Sequence, residues 1–163
     1  MPGPDREHIM TQIFVNIPTS DLERSKAFYT ALGAGINPQF TDENAACIVW
    51  DENVFFMVLK REFFATFTDK PIADPQTTAQ VSLAFSRESR EDVDHVIEAG
   101  LAAGGSEPRP AQDLGFMYSR DLDDPDGNSL GFLFMEPQAA EQGPEAFVAD
   151  HPEFADVPRP GVN

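Results

Sequence analysis

The chain reads as an α+β fold of two βαβββ modules that form a curved mixed sheet around a cavity. Three observations carry that expectation. The stretches IFVNIPTSDLERSKAFYTALGAG (Ile13 to Gly35) and VSLAFSRESREDVDHVIEAGLAAGG (Val81 to Gly105) both run strand, capped helix, glycine turn. Each is followed by three further strand-like runs. With 163 residues and 41% hydrophobic content, the chain suits one well-buried domain and is short for two. The copies are therefore expected to be halves of one domain, at 10–136: module 1 at about 10–60, a crossover at 61–78 and module 2 at about 79–136.

Period-two alternation in the first strand sets Ile13, Val15 and Ile17 on one face and Gln12, Phe14 and Asn16 on the other. The first helix has a capping-box pattern, Ser20 followed by Glu23. Its apolar stripe is Leu22, Ser25, Phe28, Tyr29 and Leu32, and Gly33 supplies the stop. Strands are expected at Ile36 to Thr41, Ala46 to Trp50 and Asn53 to Lys60, the last two joined by a turn at Asp51-Glu52-Asn53. The crossover starts as a short helix, with Phe63, Phe64 and Phe67 read as a core plug in preference to a lid.

In the second copy Val81, Leu83 and Phe85 oppose Ser82, Ala84 and Ser86. Ser89 and Asp92 begin its helix, Val93, Val96, Ile97 and Leu101 form the stripe, and Gly104-Gly105 ends it. Strands follow at Ser106 to Pro110 and Phe116 to Asp121. In the last strand Leu130, Phe132 and Phe134 oppose Ser129, Gly131 and Leu133. In each copy the bulky face packs a helix, leaving the small or polar face to line a cavity between the modules. The 137–163 tail, with Pro137, Pro144, Pro152, Pro158 and Pro160, is either disordered or a strap anchored by Phe147, Val148 and Phe154.

Composition narrows the function. A formal net charge of -17 repels polyanions, so neither nucleic acid nor an anionic membrane is an expected partner. No apolar run is long enough to span a bilayer, and MPGPDREH lacks a signal peptide's basic and apolar regions, so a cytoplasmic location is expected. The single cysteine, Cys47, excludes an internal disulfide and a cysteine-based metal cluster, and is read as a packed thiol. The acidic run DLDDPDGN (Asp121 to Asn128) is read as a turn, because the twelfth position of an EF-hand loop starting at Asp121 falls on Phe132. His8, His95 and His151 have no ligand spacing and are read as surface residues.

The run NIPTSDLERSKAFYTALG after the first strand, and DPDGNSLGF before the last, resemble the vicinal oxygen chelate superfamily: glyoxalase I, fosfomycin and bleomycin resistance proteins, and extradiol dioxygenases. The resemblance covers about Met10 to Glu136. It implies a divalent metal held by His, Gln or Glu from the first and last strand of each copy, where a substrate's vicinal oxygens chelate. Carried onto this chain, those positions fall on Phe14, on Ser82, on Gly131 and near Phe56 or Met57. Phenylalanine and glycine offer no donor, a serine hydroxyl is a poor one, and a thioether is too soft for hard ions. Gln12, Asn16 and Glu136 stand nearby but are displaced along the strands. No metal or other cofactor is expected, and conventional glyoxalase or dioxygenase chemistry is not.

Two functions remain open. One is a metal-free protein binding a small, largely apolar or aromatic molecule, with Gln12, Phe14, Asn16, Trp50, Ser82, Ala84, Tyr118, Arg120 and Gly131 as its walls. In this reading the Tyr118 phenol and Arg120 guanidinium would orient a polar or anionic group; alternatively, Asp121, Asp123 and Asp124 simply neutralise Arg120. The second function is a lyase, isomerase or dioxygenase using a relocated divalent metal. The resemblance also implies a homodimer.

Overall fold

The structure, a computed structural model, describes residues 10–159. His8 and Pro160 lie outside the described residues. The chain divides into two compact units, the first ending at Ile72 and the second beginning at Ala73, within the expected crossover. Each unit holds one four-stranded mixed sheet and its helices.

The first unit runs β1 (Ile13–Thr19), α1 (Leu22–Ala31), β2 (Gly35–Asn37), β3 (Ala45–Asp51), β4 (Val54–Lys60) and α2 (Arg61–Phe64). Its strand order is β1-β4-β3-β2, with β1 parallel to β4 and the other pairs antiparallel. Val15 pairs with Phe56, and Phe56 with Ile48, so these three share the face that α1 covers. There Phe28, Tyr29, Phe56 and Ile48 are fully buried, each stabilising the fold by about 1.5–3 kcal/mol. Tyr29 meets Phe56 and Trp50 edge to face at 5.5 and 5.9 Å.

The start of α1 differs from the expected capping box. Asp21 is the cap, its carboxylate accepting from the Arg24 backbone N–H at 3.0 Å. The Ser20 hydroxyl accepts from the Arg24 guanidinium, and Glu23 pairs with Lys26. With Asp21 capping, Glu23 stands one position too early to reach back, so the reciprocal bond cannot form. The predicted stripe is buried along its length, and Gly33 takes φ 99° at the stop. β2 ends at Asn37, short of Thr41, because Asn37 caps a 3-10 turn at Pro38–Phe40. The core plug is also revised. Phe67 is 68% exposed and Phe63 and Phe64 are half-buried, Phe63 packing edge-on against Phe67.

The second unit runs β5 (Ser82–Ser86), α3 (Arg90–Ala102), β6 (Gln112–Asp113), β7 (Met117–Asp123), β8 (Ser129–Met135), α4 (Pro137–Gln142) and α5 (Pro144–Asp150). Its order, β5-β8-β7-β6 with β5 parallel to β8, repeats that of the first unit. Ser89 caps α3 by accepting from Asp92 N–H, as expected. Val93, Val96 and Ile97 are buried, as are Leu122, Leu130 and Phe132 of the sheet. The strand expected at Ser106 to Pro110 reduces to one bridge, Ser106 to Asp123. Pro108 and Pro110 lack the N–H a ladder needs, and pairing resumes at Gln112.

The acidic run is a turn, as expected. The buried Asp124 carboxylate accepts from the backbone N–H of Asp126 and Asn128 and from the Asn128 side-chain amide. Gly127 sits at φ 99° with Pro75 so close that a Cβ would lie 2.9 Å from its carbonyl oxygen, so only glycine fits there. The described part of the tail is a strap. Leu114, Phe116, Ala139 and Phe147 form a buried cluster, joined by Met117, Val148, Phe154 and Val157. Pro137, Pro144 and Pro152 each begin a helical turn, where a missing N–H costs nothing.

Candidate functional site

Each sheet has one face turned to its helix and one turned away from it. In the first unit the face away from the helix carries Phe14 and Asn16 of β1, Phe55 and Met57 of β4, and Cys47 and Val49 of β3, by the strand register. Phe14 pairs with Phe55, and their rings stack at 4.7 Å with planes 11° apart. Phe14 remains 49% exposed, so a large apolar ring stands with much of its surface in solvent. Gln12 precedes β1, its amide donating to the Glu52 carbonyl at 3.4 Å. Cys47 is buried, and burial pushes its thiol pKa up, as suits a packed group.

Trp50 does not join this wall. It lies on the helix side, edge-on to Tyr29 and Phe56, at the irregularity where the register of β3 with β4 shifts between Val49 and Asp51. A depression of about 390 Å³ lies elsewhere in this unit, where Asp21 and Glu23 at the start of α1 face Glu43, Lys60 and Glu62.

In the second unit the corresponding face carries Ser82, Ala84 and Ser86 of β5, Ser129, Gly131 and Leu133 of β8, and Ser119, Asp121 and Asp123 of β7. Ala84, Gly131 and Asp121 form one row across three strands. Asp123 has its carboxyl pKa raised, first by burial and then by the charges of Asp124 and Asp121.

Tyr118 and Arg120 are corrected to the opposite face. They share the parity of buried Leu122 and reach α3 and the segment before β6. The Arg120 guanidinium donates to Asp94 at 3.0 Å, to Glu98 at 3.2 Å and to Glu107 at 2.7 and 3.1 Å. The Tyr118 hydroxyl donates to Asp94 at 2.5 Å. The Glu107 bond leads in raising the Arg120 pKa, and the Tyr118 bond leads in holding Asp94 below the usual carboxylate range. Burial leads in raising the Tyr118 phenol. The partners expected for Arg120, Asp121 and Asp123, lie on the other face of the same strand.

The register also resolves the metal-ligand positions implied by the family resemblance. Ser82 stands two residues before Ala84, which pairs with Gly131; likewise Phe14 stands two before Asn16, which pairs with Met57. The fourth position is thus Met57, and Phe56 faces the helix. A phenylalanine, a methionine, a serine and a glycine do not fit a divalent metal. Glu136 caps α4 beyond the end of β8, 3.8 Å from Arg90. Among the described residues no three His, Cys, Asp or Glu side chains are grouped so as to hold a metal ion. His95 is exposed on α3, and His151 stacks on Phe147 at 4.1 Å.

Residues 11–50 match the family described as bleomycin resistance protein-like N-terminal. A hypothetical protein from S. aureus superimposes with a TM-score of 0.67 at 21% identity, over 78% of this chain and 96% of that one. A glyoxalase/bleomycin resistance protein/dioxygenase family enzyme from Burkholderia phytofirmans PsJN gives 0.63 at 19% identity, over 75% and 96%. A glyoxalase/bleomycin resistance protein from Albidiferax ferrireducens T118 gives 0.56 at 27% identity, over 74% and 95%. No curated protein matches the chain in sequence. The chain therefore shares the fold of these glyoxalase/bleomycin resistance proteins, and its first module carries the bleomycin resistance protein-like sequence pattern. Among the described residues no helix is long and apolar enough to cross a membrane.

Sequence reasoning missed Phe55, Arg109 and Asp121 as residues of these faces. Phe55 is found only through the parallel register of β1 and β4, which joins strands some forty residues apart. Asp121 carried a readable signal, since it alternates with Leu122.

Proposed function

We propose that the chain is a vicinal oxygen chelate-like protein that binds a small, largely apolar or aromatic molecule without a metal, and that the face of the first sheet turned away from α1 supplies the contact. The stacked pair Phe14 and Phe55 carries the reading. An exposed phenylalanine at a position that the superfamily's enzymes give to a metal ligand offers a planar apolar surface and no donor atom. Offset stacking on such a pair is worth about 0.5–1.5 kcal/mol beyond the area it covers. Met57, next along β4 on the same face, adds a polarisable thioether that adapts to an aromatic edge.

The test is a nuclear magnetic resonance titration of the full chain with 2-naphthol, together with metal analysis of the purified protein. Shifts at the Phe14, Phe55 and Met57 amides that vanish in Phe14→Ala support the reading. A stoichiometric divalent ion, removed by chelator with loss of a turnover signal, would establish the enzyme reading instead.

A further inference from the structure

The end of the strap, residues 144–159, keeps its polar bonds to itself. Its backbone hydrogen bonds close inside the segment, from the His151 N–H to the Val148 carbonyl, from Phe154 to His151 and from Val157 to Phe154. Its ion pairs do the same, Arg159 with Glu145 at 2.6 Å and His151 with Glu153 at 3.5 Å. Among the described residues one polar bond leaves the segment, from the Gln138 amide to the Asp150 carboxylate at 2.7 Å, and it is exposed. What joins the segment to β6, β7 and the loop between them is apolar. Phe147 is buried with Leu114, Phe116 and Ala139, Val148, Phe154 and Val157 pack against that cluster, and the Arg159 guanidinium lies over the Phe116 ring at 5.3 Å.

Charge opposes this docking. The segment carries Glu145, Asp150, Glu153 and Asp156 against Arg159 alone, in a chain whose formal net charge is -17. Apolar burial therefore holds it against a repulsion that dissolved salt screens.

The docked path also hangs on one glycine. Gly143, between α4 and α5, has φ 89° and ψ 162°, a conformation reached essentially by glycine only. A Cβ there would meet nothing within 4 Å, so packing does not lock the residue and its dihedrals are free to turn. Beyond it α5 has seven residues and the following turn three, too short to stay helical once undocked. Release and loss of the segment's hydrogen bonds are then a single event.

We propose that residues 144–159 are a latch on the second unit, which opens about Gly143 as one body, uncovers Leu114 and Phe116, and closes more firmly as ionic strength rises. The latch is independent of the aromatic reading, because every residue it uses lies in the second unit.

The test is native-state hydrogen exchange of the full chain by nuclear magnetic resonance. It follows the His151, Phe154 and Val157 amides, with the buried Val93 and Ile97 of α3 as the global reference. The three amides are expected to exchange faster than the reference, at one shared opening constant, and more slowly as sodium chloride is added. Phe147→Ala should speed all three by at least about tenfold, Val157 included. Gly143→Ala, which leaves every contact of the segment in place, should speed them by about tenfold through its excluded dihedrals. Asp156→Asn, which removes one like charge, should slow them by about twofold at low salt. Exchange only at the rate of the α3 amides would overturn the proposal, as would a response to F147A confined to its neighbours, a G143A variant like the parent, or rates indifferent to salt. Protection that rises with protein concentration would also overturn it, because the seat would then be filled by a second copy.

Discussion

The Tyr118 hydroxyl donates to the Asp94 carboxylate at 2.5 Å, tying the start of β7 to α3. Arg120 reaches the same Asp94 oxygen at 3.0 Å, so one carboxylate holds two side chains of one strand against the helix. The network spans 94 to 120 in the chain and is only partly shielded from water, Asp94 being 48% and Arg120 12% exposed. Its strength therefore lies between that of a surface pair and that of a buried one.

Replacing Arg120 by Met leaves Asp94, Glu98 and Glu107 converging without a cation. The expected loss is about 2 kcal/mol, between the surface and buried limits, read as a lower urea midpoint. Arg120→Lys should recover only part of it, because an ammonium cannot serve three carboxylates from a planar fork.

The Asp94 carboxyl is held low in the folded state, first by Tyr118 and then by Arg120. Its stabilising contribution is therefore present above the unfolded carboxylate pKa, about 3.9, and is lost as pH falls through the lower folded value. Tyr118→Phe should be less stable at neutral pH and should lose less stability on acidification below about pH 4. Thermal melts of both proteins at several acidic pH values check this; an unchanged acid slope would refute it.

Asp123 has the opposite sign. Burial and the neighbouring Asp124 and Asp121 raise its folded pKa, so its charged form opposes folding. That penalty is absent below the unfolded pKa, about 3.9, and builds as pH rises through it. Asp123→Asn is expected to raise the melting temperature at neutral pH and to give no gain at pH 3.

The strap meets the second unit at Gly115, which takes φ 79° and on which a Cβ would lie 2.3 Å from Phe154 Cγ. Gly115→Ala is expected to cost about 1–3 kcal/mol from backbone strain alone and to lift Phe154 from its seat. Limited proteolysis should then cut near 150–159 faster than in the parent. In the double variant Gly115→Ala, Phe154→Ala the steric part disappears, so the two losses should add to less than their sum.

Much of the fold was legible because its signals are local. The stripe from Leu22 to Leu32 and the alternation of buried Leu130 and Phe132 with half-buried Phe134 each lie within one element, so periodicity alone places the faces that pack. The Asp21 cap was misread by one residue, because Ser20 and Asp21 are both competent caps and only the backbone path selects between them. Tyr118 and Arg120 were assigned to the wrong face although they alternate with Asp121 and share the parity of Leu122. Alternation separates the two faces of β7, and the burial of Leu122 identifies theirs as the helix side.

By itself the sequence determined the two repeated modules and the apolar stripes of their helices, since both rest on residue type and short-range spacing. The tertiary structure alone decided which side chains meet across the strands. Phe14 finds Phe55, Asp121 finds Arg109, and Arg120 finds Asp94 and Glu107, through strand register and helix packing. Such contacts join residues 12 to 41 positions apart by way of ladders of backbone hydrogen bonds, and a shift of one residue in register would exchange every partner.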